Sequence, residues 1–218
     1  MTYLEIVQEV CRLAGITDTG GPTTVVGQTG DFRKAIGYVA ISHEEIQSMY
    51  FDWDFLWGNS TITTSASVSS YAGESDLGIW DAGRVFYSNA DLGVYQWHDY
   101  TPETRTNAAP EFAVIRPDNR LLIVPTPDDA YTITYDYYKV PKVLSANADE
   151  PYIPARFQRA IVGRAVMLYA LHESAQESLA LGSEMYGQYM EALQKHQLSR
   201  RQQTHGRFES GGITVVAE

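Results

Sequence analysis

A lone thiol, one histidine among carboxylates, scattered acidic residues and a late group of cations are the side chains that could do chemistry. Cys11 could serve as a nucleophile, but Leu4, Val7, Val10 and Ala14 share its helical spacing. A thiol in an apolar stripe is expected to be inert packing. His43 stands beside Glu44 and Glu45 with no second ligand at matching spacing, so packing or hydrogen bonding is expected and not a metal site. Gly27-Gln28-Thr29-Gly30 lacks the Gly-Lys-Ser/Thr ending of a phosphate loop. Glycoside cleavage requires two carboxylates at a fixed separation. Glu103, Glu111, Glu173 and Glu177 are candidates, yet nothing around them fixes a separation. Glu74, Asp76, Asp81, Asp91 and Asp99 carry no Asp-x-Asp-x-Asp-Gly calcium loop and are expected to be solvated. No catalytic, metal or cofactor-binding residue is assigned, and no cofactor is called for.

The remaining chemistry is recognition. Lys195, Arg200, Arg201 and Arg207 can pair with an acidic partner surface, or complement the dipole at a helix C-terminus. Beyond Gly206 an extended tail, Phe208–Glu218, contains Gly211-Gly212 and then Ile213-Thr214-Val215-Val216. That last stretch reads as a strand with no partner nearby. An extended segment can add to another molecule's sheet, its main chain supplying hydrogen bonds and alternate side chains filling pockets. Lys195, Arg200, Arg201, Arg207, Phe208, Ile213, Val215 and Val216 are therefore the expected docking residues. Tyr71, Trp80, Tyr87, Tyr95, Trp97 and Tyr100 could instead stack on sugars, although half-buried sheets use such rings for packing.

Four helices and a run of strands must position these groups. Thr2 and Glu5 form a capping box for a helix running to Ala14 and stopped by Gly15. A second helix from Phe32 to about Tyr50, capped by Thr29 or Asp31, aligns Phe32, Ile36, Val39, His43, Ile46 and Tyr50. Trp53, Phe55, Leu56 and Trp57 are expected to plug the gap between helices and strands. From Asn59 to Tyr138 the pattern is strand-like, at Ser60–Thr64, Arg84–Ser88, Val94–His98, Glu111–Arg116, Arg120–Pro125 and Tyr131–Tyr138. Pro117-Asp118-Asn119 is a turn. Proline marks the connector Val140–Pro154, after which two further helices follow, Pro154–Glu173 and Ala175–Gln203, broken near Ser174. The third is striped by Phe157, Ile161, Ala165, Leu168 and Tyr169, and the fourth by Leu179, Tyr186, Tyr189, Met190, Leu193 and Leu198.

The expected fold is α+β. Helices from both chain ends form a four-helix bundle, and an antiparallel β domain, a sandwich or a barrel, is inserted between them. The divisions are 1–57 and 141–203 for the bundle halves, 58–140 for the insertion and 204–218 for the tail.

Composition narrows the function. No run of ~18 apolar residues could span a bilayer, so no membrane partner is expected. Met1-Thr2-Tyr3-Leu4-Glu5 lacks the basic start of a signal peptide, which suggests an intact product made in the cytosol. The net charge of −11 is uneven, with 9 Lys and Arg against 21 Asp and Glu in residues 1–150, and 7 against 6 in the rest. That balance argues against tight DNA binding, which rests on phosphate neutralisation, and suits ordinary solubility or a surface that DNA passes without adhering.

Five stretches occur in an order that resembles tailed-phage head-to-tail adaptor proteins. They are Tyr3-Leu4-Glu5-Ile6-Val7, Arg12-Leu13-Ala14-Gly15, Thr24-Val25-Val26-Gly27, Asp31-Phe32-Arg33 and Trp53-Asp54-Phe55-Leu56-Trp57. The resemblance implies a structural virion protein and not an enzyme. It would be made in the host cytoplasm and located in the phage neck. Such proteins form a ring, typically dodecameric, beneath the portal, with a downstream tail or nozzle protein as a further partner. The genome passes through the channel without specific binding. Some short-tailed phage adaptors are cell-wall hydrolases, so peptidoglycan cleavage is the enzymatic alternative, and a glycan-binding module on a virion protein is another.

Overall fold

The computed structural model describes residues 1–17 and 21–198. Helix α1, Tyr3–Leu13, begins as its sequence dictates. Thr2 Oγ1 accepts from the Glu5 amide at 3.3 Å, and the Glu5 carboxylate accepts from the Thr2 amide at 2.8 Å. Gly15, just past the helix, has φ +68°, a conformation that favours glycine. Helix α2 spans Gly30–Ser48, with Thr29 at its N-cap position but making no side-chain capping bond. Val39, His43 and Ile46 of the expected seam are buried, whereas Phe32, Ile36 and Tyr50 are half-buried.

The third helix starts later than expected. Ala155–Phe157 form a 3-10 turn after Pro154, and α3 itself is Arg159–Glu173. Ser174 ends it with φ +57°, which reverses the chain into α4, Gln176–Gln197. The expected extension of α4 to Gln203, and the whole tail, lie outside the described residues. On α4 only Gly182, Met190 and Leu193 are buried, and the other expected seam residues are half-exposed.

The expected single stripe on α3 is also corrected. Val162 and Val166 are as buried as Ile161 and Ala165, and Leu168 is only half-buried. The reason is position, because α3 touches α1, α2 and α4, so it needs apolar residues on several sides. Its crossing with α4 is close. A Cβ on Gly163 would lie 2.7 Å from the Tyr186 amide nitrogen, and one on Gly182 would lie 2.9 Å from the Gly163 carbonyl oxygen. Two ion pairs join the chain halves across this core, Arg164 to Glu45 and Lys34 to Glu173, both at 2.8 Å.

Between the helix pairs lie eight strands: β1 Trp57–Thr63, β2 Ser70–Ala72, β3 Leu77–Tyr87, β4 Ala90–Asp91, β5 Gly93–Gln96, β6 Phe112–Ile115, β7 Arg120–Val124 and β8 Thr132–Lys139. They form two sheets, in the orders β1-β8-β3-β4 and β2-β7-β6-β5. Buried side chains from both sheets, among them Val85, Leu121, Ile123, Ile133 and Tyr135, pack into one core. No ladder among the described residues closes them into a barrel. The insertion is not wholly antiparallel either. β5 and β6 run parallel, pairing Gly93 with Phe112 through Gln96 with Ile115. The mostly exposed stretch 97–111 supplies the return that a parallel pair requires. The Pro117-Asp118-Asn119 turn joins β6 to β7, with Asn119 at φ +57°.

The alternation in β8 breaks at Asp136, which is buried between Tyr135 and Tyr137. Its partner strand explains this. Trp80 pairs with Tyr137 and Val85 with Tyr135, so residues 81–84 bulge opposite Asp136. From the bulge Arg84 Nε donates to Asp136 Oδ2 at 3.0 Å, while Asn59 Nδ2 donates to Oδ1 at 2.6 Å. A buried carboxylate is tolerated there because both oxygens are paired.

The hinge between the layers is Trp53. It is fully buried, stacks on Phe55 at 5.3 Å, meets Tyr50 edge-on at 5.1 Å, and donates its indole N–H to the Ile46 carbonyl at 3.1 Å. Leu56 completes the plug. Trp57, expected to share it, turns outward as the first residue of β1.

Candidate interaction surface

The last turns of α4 form the described root of the expected docking segment. Leu198 makes an isolated antiparallel bridge with Trp53, His196 lies 5.7 Å from the Phe157 ring, and Gln194 reaches the Tyr50 hydroxyl at 3.5 Å. The chain therefore leaves α4 beside the hinge. Lys195 is the one predicted docking residue among those described. It is exposed, and its ammonium meets Glu191 one turn back at 2.5 Å. The local dipole-and-pair explanation accounts for its contacts. Arg200, Arg201, Arg207, Phe208, Ile213, Val215 and Val216 lie outside the described residues.

The candidate catalytic groups do not converge. Glu103 and Glu111 both pair with Arg105, at 3.2 and 2.9 Å, so neither is aimed at a shared substrate position. Glu173 belongs to the ion pair with Lys34, and Glu177 sits in the first turn of α4. Cys11 is buried, and burial pushes its thiol up to about 11, which disfavours the nucleophilic thiolate. His43 is buried as well. Desolvation, and then the charge of Lys142, lower its pKa to about 4, so its ring is neutral near pH 7. Gln47 contacts His43 Nδ1 at 3.2 Å and exchanges two 3.1 Å bonds with the backbone of Lys142. Gln47 thus ties α2 to the connector, with His43 buried one turn before it. Among the described residues no group of three or more His, Cys, Asp or Glu could hold a metal ion.

Two surface features were not apparent from periodicity. An open cleft of about 340 Å³ is lined by Tyr95, Tyr100 and Phe112 with Asp99, Glu103 and Arg105. Of the six aromatics considered for sugar stacking, it gathers only Tyr95 and Tyr100. Trp80 is buried and bonded to the Asn119 carbonyl, and Tyr71 is tied to the Val68 carbonyl. A second cleft, about 270 Å³ and mostly apolar, lies where the end of α2 meets β3 and β8, with Phe51, Ile79 and Val140 exposed at its walls. Long-range packing made both clefts. Only the exposed apolar residues at the helix exit could have hinted at the second.

A family model described as SU10 adaptor protein matches residues 1–210. The chain belongs to this head-to-tail adaptor family. A comparison with curated proteins finds no match. Head-to-tail adaptors of this family are structural proteins of bacteriophage particles and not enzymes. Membership covers both helix pairs and the whole β insertion, so the nested arrangement belongs to the adaptor as a unit. No helix of this adaptor among the described residues is long and apolar enough to cross a membrane.

Proposed function

We propose that this adaptor joins the portal to the tail by forming a dodecameric ring beneath the portal. In that ring the bundle and C-terminal segment engage the portal, and other surfaces receive the downstream tail or nozzle protein. The inner wall surrounds a channel through which the genome passes without specific binding. Synthesis takes place in the host cytoplasm, and the working location is the phage neck. The observation that carries this reading is the family match over residues 1–210. The net charge of −11 supports a channel wall that repels DNA phosphates. A cyclic ring joins unlike surfaces of neighbouring copies, and the exposed apolar cleft at the helix–sheet junction is one such surface on offer.

We further take residues 58–140 as the inserted unit, 1–57 and 141–203 as the bundle, and 204–218 as the tail. Two separate apolar cores, one drawing on the helices and one on the strands, support that division. Docking is assigned to Lys195 and to the segment beyond it, with Phe208, Ile213, Val215 and Val216 as the apolar contacts and the portal as recipient. Native mass measurement of the free protein, and of a mixture with its portal, tests the ring. The expected product is a portal-bound ring, and a monomer in both samples refutes it. Deleting Phe208–Glu218 is expected to weaken portal association and leave the monomer folded. Unchanged association refutes the docking role.

A further inference from the structure

The strands at the ends of the two sheets differ in how open they are. β4, β2 and β5 have two, three and four residues, and so short an edge offers little to pair with. β1 is the exception. Its seven residues pair with β8 in unbroken register from Trp57 to Thr63, with no bulge, no proline and no charged side chain. Lysine, proline and bulges are the usual means of blunting an edge, and β1 has none of them. One bond tells which of its backbone groups are open. The Thr64 amide donates to the Tyr131 carbonyl at 2.8 Å. Ile62, Ser60 and Gly58 therefore turn their backbone groups toward β8, and Asn59, Thr61 and Thr63 turn theirs outward. Those three residues are exposed, and among the described residues nothing bonds their amides or carbonyls. The Trp57 amide is spent on the Asp54 carbonyl, but its own carbonyl faces the same way as theirs, and its side chain is exposed.

Charge around this edge selects its occupant. Before β1 stand exposed Asp54 and buried Asp52, whose Oδ1 has no hydrogen-bond partner among the described residues. Past its far end lie exposed Asp128 and Asp129, and the Asp129 carbonyl accepts from Thr64 Oγ1 at 2.9 Å. Midway, the Glu74 carboxylate accepts from the Ser60 hydroxyl. Among the described residues none of these carboxylates forms a salt bridge. Because both ends are acidic, a second copy's β1 laid along this one in either direction would set carboxylates beside carboxylates, which is unfavourable. A neutral, β-branched segment flanked by basic residues meets no such penalty. In strand addition the main chain supplies affinity and alternate side chains supply selection. We propose that the outer edge of β1 is a strand-addition site for an extended segment of another protein, neutral where it pairs with Asn59, Thr61 and Thr63 and basic at its ends. This is the converse of the docking assigned to the C-terminal segment, and it depends on neither that segment nor the ring.

The full-length protein tests it, with two synthetic peptides as probes: Lys-Thr-Val-Thr-Val-Thr-Lys, and the same sequence with Glu in place of both Lys. The basic peptide is expected to bind about tenfold more tightly than the acidic one at low salt, and the gap to narrow as salt rises. Thr61→Pro removes an outward amide without touching a bond to β8. Tm should therefore hold while affinity for the basic peptide falls about tenfold. Thr61→Val keeps the amide and should bind as the unaltered protein does. Amide exchange followed by NMR locates the contact. Asn59, Thr61 and Thr63 should exchange freely in the free protein and gain protection only with the basic peptide. Undiminished binding by Thr61→Pro overturns the proposal, as does no binding of the basic peptide at about 1 mM. Protection already present in the free monomer overturns it too, because this chain's own C-terminal segment then fills the edge. So does protection that grows with protein concentration, because a second copy then fills it.

Discussion

The two cores of this adaptor solve the same burial problem by opposite means. The helical core is built mostly of small and aliphatic side chains such as Val7, Val39, Ala160 and Ala165, contributed by segments from both ends of the chain, with Tyr3, Trp53 and Phe157 as its buried rings. Its helices approach closely enough that Gly163 and Gly182 leave no room for a Cβ. The sheet core is contiguous in sequence and leans on rings, with Trp80, Tyr135 and Tyr137 in mutual contact. It also accommodates a buried charge at Asp136. A core of close-packed backbones fixes helix positions tightly. A core of large rings and a bulge tolerates variation in strand length and loop. The helical layer is thus the suited place for constant contacts, and the insertion for variable ones.

The largest expected effect bears on whether the two cores are energetically separate. Trp53→Ala removes the plug between them and should cost about 4 kcal/mol of stability, measured by denaturant unfolding. Hydrogen exchange on the same variant sharpens the comparison. Protection should fall in α1, α2 and α3 and persist in β8, and equal losses in both would show one cooperative unit. A pH titration comes next. His43 has its pKa depressed to about 4 in the fold, so between that value and its ordinary value near ~6.5 the unfolded chain binds the extra proton. Stability should therefore rise with pH through that window and fall on acidification, by about 3 kcal/mol in all. His43→Gln should flatten the slope, and an unchanged slope would place the acid sensitivity elsewhere. The smallest effect concerns the sheet core. Asp136→Asn keeps the shape but weakens the bonds from Arg84 and Asn59, and should cost about 1 kcal/mol. That loss should appear as faster exchange in β1, β3 and β8 only.

Local signals were legible in the sequence and long-range ones were not. The Thr2–Glu5 capping box, the break at Ser174 and the turn ending at Asn119 each follow from a few neighbouring residues, and each stands in the structure. The packing of α1 and α2 on α3 could be inferred because two lone helix pairs would otherwise expose their stripes. Strand β2 could not, since three residues carry no period. The parallel register of β5 on β6 depends on where residues 97–111 return, which alternation does not encode. The burial of Asp136 was not legible either, because the bulge opposite it belongs to another strand. Of the expected docking residues, only Lys195 is among those described, and its ion pair with Glu191 is the i, i+4 contact its spacing allows. The orphaned oxygen of Asp52 had no sequence signal beyond an acidic residue beside a tryptophan.

The nesting of the strands between α2 and α3 also sets a schedule during synthesis. At roughly 5–20 residues per second, α3 emerges from the ribosome on the order of ten seconds after α2. Through that interval Val39 and Ile46 have only α1 and the residues around Trp53 to cover them, while β1 to β8 are all translated before α3 begins. The insertion can therefore finish folding first and hold the two halves of the bundle near each other when the last helices arrive. Late closure of the bundle would keep the end proposed here for docking unformed until the subunit is nearly complete, which would limit premature association among nascent chains.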